Sequence, residues 1–246
     1  MMRLPATLAA RLAAMFFALV AAAAPSLAGD YAERVILGFS PDGRYFAFEQ
    51  YGQQDGSGFP YADIFVIDTS TDSWVEGSPV RVLLQDEKAE IKWARRDAIA
   101  KAAGILKKTL ITHPGRVLAS NPAFELSADP HKVVANASRI LSLSEAWTFQ
   151  LQPLTFPATG HCVTFSPEGS AGFRLTVTPP QGAPVEWHAD KALPESRGCP
   201  LRYAISDVVI HEPAQGPRVA AVILSLFQVG FEGPDRRFLA VTRALP

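Results

Sequence analysis

Short apolar runs closed by turn residues recur along most of this chain, and they constrain its fold more than any other feature. Most of its 20 prolines fall between such runs, where each presets φ and removes a backbone donor. Val35-Ile36-Leu37, the turn tetrad Ser40-Pro41-Asp42-Gly43 and Tyr45-Phe46-Ala47-Phe48 read together as a hairpin. A glycine-rich loop from Gly52 to Pro60 precedes Ile64-Phe65-Val66-Ile67, and Val80-Arg81-Val82-Leu83-Leu84 follows. This region predicts one small antiparallel sheet. Runs resume at Val133-Val134, Thr148 to Leu151, Cys162 to Phe165, Phe173 to Thr178, Val185 to His188, Tyr203 to Ile210, Val219 to Phe227 and Phe238 to Thr242. The expected fold is mainly β, an antiparallel sandwich or an irregular propeller-like assembly.

One stretch departs from that pattern. Asp86 to Leu110 has no proline, one glycine and apolar residues at three- and four-residue steps, which predicts a long amphipathic helix near residues 86–112. Asp86 is its expected N-cap, Asp97 and Lys101 an i,i+4 pair, and Lys107-Lys108 a complement to the C-terminal dipole.

The first 28 residues read as a secretory signal peptide. Arg3 and Arg11 form a positive region, Met15 to Ala24 an apolar stretch, and Ser26-Leu27-Ala28 a small-x-small cleavage site. Residues 29–246 then form a single mainly-β domain, periplasmic or secreted, with no membrane span after cleavage. A hydrophobic content of 48% argues for a folded core, and a net charge of −1 lacks the basic excess that nucleic-acid binding needs.

Cys162 and Cys199 are the only cysteines. In an oxidising compartment pairing is the default; a metal site with His161 or His188 is the alternative, without Cys-x-x-Cys or His-x-x-x-His spacing behind it.

Gly38 to Phe48, Thr164 to Leu175 and Gly230 to Val241 each carry an aromatic, a Pro-acidic turn and an alternating strand. The first resembles the repeat of TolB-type β-propellers. More widely, Arg44 to Gly52, Gln54 to Tyr61, Asp72-Ser73-Trp74-Val75-Glu76-Gly77 and Gly230 to Phe238 resemble a family of predicted secreted bacterial proteins of unknown function. That resemblance implies export and assigns no activity.

Catalytic signatures are absent from the sequence. Neither Gly56-Ser57-Gly58 nor Gly169-Ser170-Ala171-Gly172 is a nucleophile elbow, His211-Glu212 lacks a second histidine, and no glycine-rich phosphate loop occurs. No cofactor or metal is expected, and whether the chain is an enzyme stays open. Two functional readings remain. The first is a non-catalytic binding module for an envelope protein, peptide or glycan, using Tyr51, Asp55, Phe59 and Tyr61 with Glu232, Asp235 and Arg236, because aromatic and Gly-Pro loops on a β scaffold suit recognition. The second is a glycan-directed envelope hydrolase with a carboxylate pair drawn from Asp42, Asp55, Asp63, Glu232 and Asp235.

Overall fold

The computed structural model describes residues 29–122, 125, 127–139 and 145–245. The expected signal peptide at residues 1–28 lies outside the described residues. Strands β1 (Glu33–Phe39), β2 (Tyr45–Gln53), β3 (Pro60–Asp68), β4 (Ser73–Trp74) and β5 (Val80–Leu83) lead into helix α1 (Ile91–Lys108). Then come β6 (Arg116–Ser120), β7 (Lys132–Asn136), β8 (Ala146–Phe156), β9 (Ser170–Thr178), β10 (Val185–Ala189), β11 (Pro200–His211), β12 (Val219–Gln228) and β13 (Asp235–Ala244).

The strands form three antiparallel sheets. The first runs β1-β2-β3, with β4 and β5 sharing the far edge of β3; the second runs β13-β12-β11-β6 and the third β10-β9-β8-β7. Alternation along β12 shows how they stack: Val222, Leu224 and Leu226 pack with Phe149, Phe173 and Leu175 of the third sheet, whereas Ala221 and Ile223 pack with Phe46, Phe48 and Phe65 of the first. The second sheet is therefore buried on both faces, which is why Val219 to Phe227 reads as an unbroken apolar run. The layer order is α1, first sheet, second sheet, third sheet, so the mainly-β expectation with one long helix matches the observed fold.

Helix α1 lies on the outer face of the first sheet through Ala94, Ala98 and Ala102, all fully buried at four-residue steps. Side chains this small let the helix approach the strands closely. The helix starts later than the sequence predicts. Asp86 accepts the Lys88 N–H at 2.9 Å and closes a local turn, leaving Glu90 at the N-cap without a side-chain capping bond. The predicted strand Cys162 to Phe165 is instead a short helical turn, with the Ser166 N–H donating to the Cys162 carbonyl. Cys162 and Cys199 are joined by a disulfide, so their sulfurs are not free to serve as metal ligands.

The echoed turns all precede strands. Ser40 to Gly43 joins β1 to β2, with Gly43 at φ +74°; Ser166 to Gly169 leads into β9, and Gly233-Pro234 into β13. Among the described residues, no helix is long and apolar enough to cross a membrane.

Candidate functional site

Edges of all three sheets open toward one side of the molecule. There, β13 of the second sheet, the β4 and β5 edge of the first, and β10 with the following loop of the third enclose a cleft of about 660 Å³. This lies within the volume range of small-ligand sites. Its walls mix Phe48, Phe65, Trp74, Phe173 and Phe238 with Asp63, Asp72, Arg81, His188, Arg197 and Arg237.

Most of the charged groups are held by internal bonds, Arg81 being the exception. On the first-sheet wall, Gln50 donates to Asp63 at 2.9 Å and accepts the Phe238 N–H at 2.9 Å, tying β2 and β3 to β13. Burial pushes the Asp63 carboxyl above the usual carboxylate range, against the opposing pull of the Gln50 hydrogen bond and Arg81. Asp72, in a positive-φ turn before β4, accepts both the N–H and hydroxyl of Thr242 at 2.7 and 3.0 Å. Its carboxyl is likewise raised by burial. At the rim, Trp74 is 47% exposed and Arg81 lies 5.9 Å over its ring.

On the third-sheet wall, Asp190 organises the polar groups. It accepts from the Phe173 N–H at 2.8 Å, Arg197 at 2.7 Å and His188 at 2.8 Å, while His188 stacks on Phe173. Burial alone would raise the Asp190 pKa, but the His188, Arg197 and Phe173 hydrogen bonds outweigh it and hold the carboxyl below its usual range. The stability from these bonds is thus present in full above about pH 4 and lost as pH falls through the lowered folded-state pKa. Asp190→Asn is expected to lower stability at neutral pH and flatten the acid side of a plot of unfolding midpoint against pH. An unchanged acid slope would remove Asp190 from that account.

The two loops singled out in the sequence touch each other, since the Glu232 N–H donates to Asp55 at 3.0 Å. Much of their polarity is used internally. Tyr61 is buried and donates to Asp30 at 2.8 Å; Asp30 also pairs with Arg237 at 2.6 Å, and its N–H donates to Asp235 at 3.0 Å. Arg236 is buried and donates to the Ala32 carbonyl at 2.8 Å. Tyr51 lies under the Arg95 guanidinium, 3.9 Å from ring centroid to carbon, and Phe59 is half-buried in the β2–β3 loop. Tyr51 and Asp55 also line a shallower hollow of about 470 Å³ with Asp30, Tyr31, Glu33 and Ile91.

Of the five carboxylates weighed for hydrolysis, Asp63 alone lines the cleft. Asp42 is bound within its own turn by Ser40 and the Arg44 N–H. The sequence assigns no role to Asp72, Trp74, Arg81 or Arg197, and offers His188 only as an alternative metal ligand; among the described residues it is His161, not His188, that lies beside Cys162 and Cys199. Asp72 to Gly77 carries the nearest signal, an aspartate two residues before a tryptophan in a segment with a glycine close by.

A family model described as predicted secreted protein (DUF2259) matches residues 47–243, most of the chain. No curated protein and no solved structure matches.

Proposed function

The chain belongs to the DUF2259 family of predicted secreted proteins, and from that premise we propose that it works in the periplasm or beyond as a non-catalytic binding protein. Its ligand enters the cleft between the three sheet edges. The observation that carries this reading is a cleft most of whose charged groups are already oriented by internal hydrogen bonds beside aromatic walls, an arrangement that meets a ligand with little reordering. The paired loops contribute indirectly, because Asp30 and Tyr61 brace Arg237 at the cleft's margin. An envelope protein, a peptide or a glycan fits the exported setting.

Hydrolysis is less well supported. Asp63 is anchored through Gln50 at Phe238 and Asp72 at Thr242, four residues further along β13. Each of these carboxylates is engaged by a neighbouring amide, N–H or hydroxyl rather than by the other, whereas the two carboxyl groups of a glycosidase face each other across the scissile bond.

Thermal-shift measurements on residues 29–246 with cell-wall muropeptides, neutral oligosaccharides and random-sequence peptides test the proposal. At least one class is expected to raise the unfolding temperature, and Trp74→Ala to abolish that rise. No shift from any class, or an undiminished shift in Trp74→Ala, would overturn it.

A further inference from the structure

The outer edge of β13 is fastened at both ends and open in the middle. In an antiparallel ladder, alternate residues direct their N–H and C=O groups toward opposite neighbours. On β13 the residues facing away from β12 are Arg236, Phe238, Ala240 and Thr242. Arg236 exchanges bonds with the N-terminal segment, donating to the Asp30 carbonyl at 2.9 Å and accepting the Ala32 N–H at 3.1 Å. The Phe238 N–H is taken by Gln50 and the Thr242 N–H by Asp72, two side chains standing where a neighbouring strand would supply carbonyls. Between them, the Ala240 N–H and the carbonyls of Phe238 and Ala240 have no hydrogen-bond partner among the described residues, and Phe238 to Val241 line the cleft.

Exposed strand edges are commonly protected by charge, bulges or a covering element. Here the edge lies within a walled cleft. The first-sheet wall supplies Phe65, Trp74 and Arg81, and the opposite wall Phe173, His188 and Arg197. An incoming strand would present alternate side chains to these two walls. Charge narrows the occupant. Arg197 is neutralised by Asp190 at 2.7 Å and Arg237 by Asp30 at 2.6 Å, but Arg81 reaches Asp63 only at 4.0 Å and stays more than half exposed. It is the cleft cation with donors to spare.

We infer that the cleft receives an extended peptide segment of a partner protein, which pairs its backbone with β13 at Ala240 and places a carboxylate against Arg81. The segment extends the second sheet by one short strand, with backbone bonds supplying affinity and the two walls supplying selectivity. This inference rests on the binding reading above and goes beyond it in naming ligand class and binding mode.

Peptides selected from a random decapeptide display library on the wild-type domain, then titrated by fluorescence anisotropy, provide the test. N-methylation scanned along a selected peptide should weaken binding at least tenfold at alternate positions only, because only amides facing β13 donate. Ala240→Pro removes the one unpaired edge donor while leaving the β12 ladder intact, and proline is tolerated on such edges; a tenfold or greater loss is expected at unchanged thermal stability. If that variant is destabilised, the N-methyl scan decides alone. Arg81→Ala should weaken peptides bearing the carboxylate and leave their amide analogues unchanged. Tolerance of N-methylation throughout, or equal weakening of both peptide forms by Arg81→Ala, would overturn the inference. Recovery of no peptide while muropeptides or oligosaccharides still shift the unfolding temperature would defeat the peptide mode and leave the binding reading standing; no shift from any class would defeat both.

Discussion

Replacing Arg34 with methionine is expected to cost about 3–5 kcal/mol of folding stability, the range for removing one partner of a buried ion pair. Arg34 leaves β1 in the first sheet and meets Asp207 on β11 of the second, using Nε and Nη2 on the two carboxylate oxygens, with the Nη2 bond at 2.6 Å. Asp207 is 3% exposed; without Arg34, whose guanidinium lies over the Phe238 ring, its carboxylate would retain the Ser206 hydroxyl at 2.9 Å. The penalty comes from desolvation of a lone charge rather than from loss of attraction. Arg34→Met combined with Asp207→Leu should therefore recover most of the loss, since neither charge then needs burial. Urea unfolding at constant slope measures all three variants. A single-variant loss under about 1 kcal/mol, or a double variant no better than the single, would show that Asp207 finds water or another donor.

Legibility of the sequence followed burial. Val219 to Phe227 and Tyr203 to Ile210 read as strands because they lie in a layer covered on both faces, where most side chains are apolar and a polar one such as Asp207 needs a partner. Of the seven aromatics between residues 45 and 65, Phe46, Phe48, Tyr61 and Phe65 are buried, so much of that cluster is core. By contrast, Arg116–Ser120 gave no strand signal. It is five residues long with polar ends, and its place in the second sheet depends on pairing with β11 rather than on its own periodicity. Cys162 to Phe165 carries strand-like residues, yet its crosslink and flanking turns hold it in a helical turn.

The cleft was illegible for a different reason. Gln50, Asp63, Asp72, Arg81, Phe173, His188, Arg197 and Phe238 come from three sheets, and hydrophobic alternation tells which face of a strand is buried but not which edges will meet. The two loops identified in the sequence do touch, because the hairpin between β2 and β3 and that between β12 and β13 project from the same end. Yet the open backbone at Ala240 leaves no trace in residue type. An alanine within an alternating strand looks the same whether its N–H faces a neighbour or a cleft.

Removal of the disulfide is expected to cost about 4 kcal/mol on the chain-entropy account. The bond closes a sequence separation of 37 residues, linking the helical turn between β8 and β9 of the third sheet to the residue just before β11 of the second. Cys199 also accepts the Val229 N–H through its carbonyl at 3.0 Å, so the crosslink holds the third sheet to the entry of the most buried hairpin. Reduction frees the unfolded chain while leaving the face-to-face packing of the two sheets as the remaining restraint. Cys162→Ser with Cys199→Ser should accordingly lower the urea midpoint, and it should leave ligand affinity in the cleft unchanged wherever the domain remains folded. Thiol titration of denatured, unreduced protein exported by its own host should find no free thiol. Two thiols per chain would mean that the exported protein leaves these sulfurs unpaired; His161, whose ring nitrogen lies within 4.8 Å of both, would then complete a cluster of metal-ligand type.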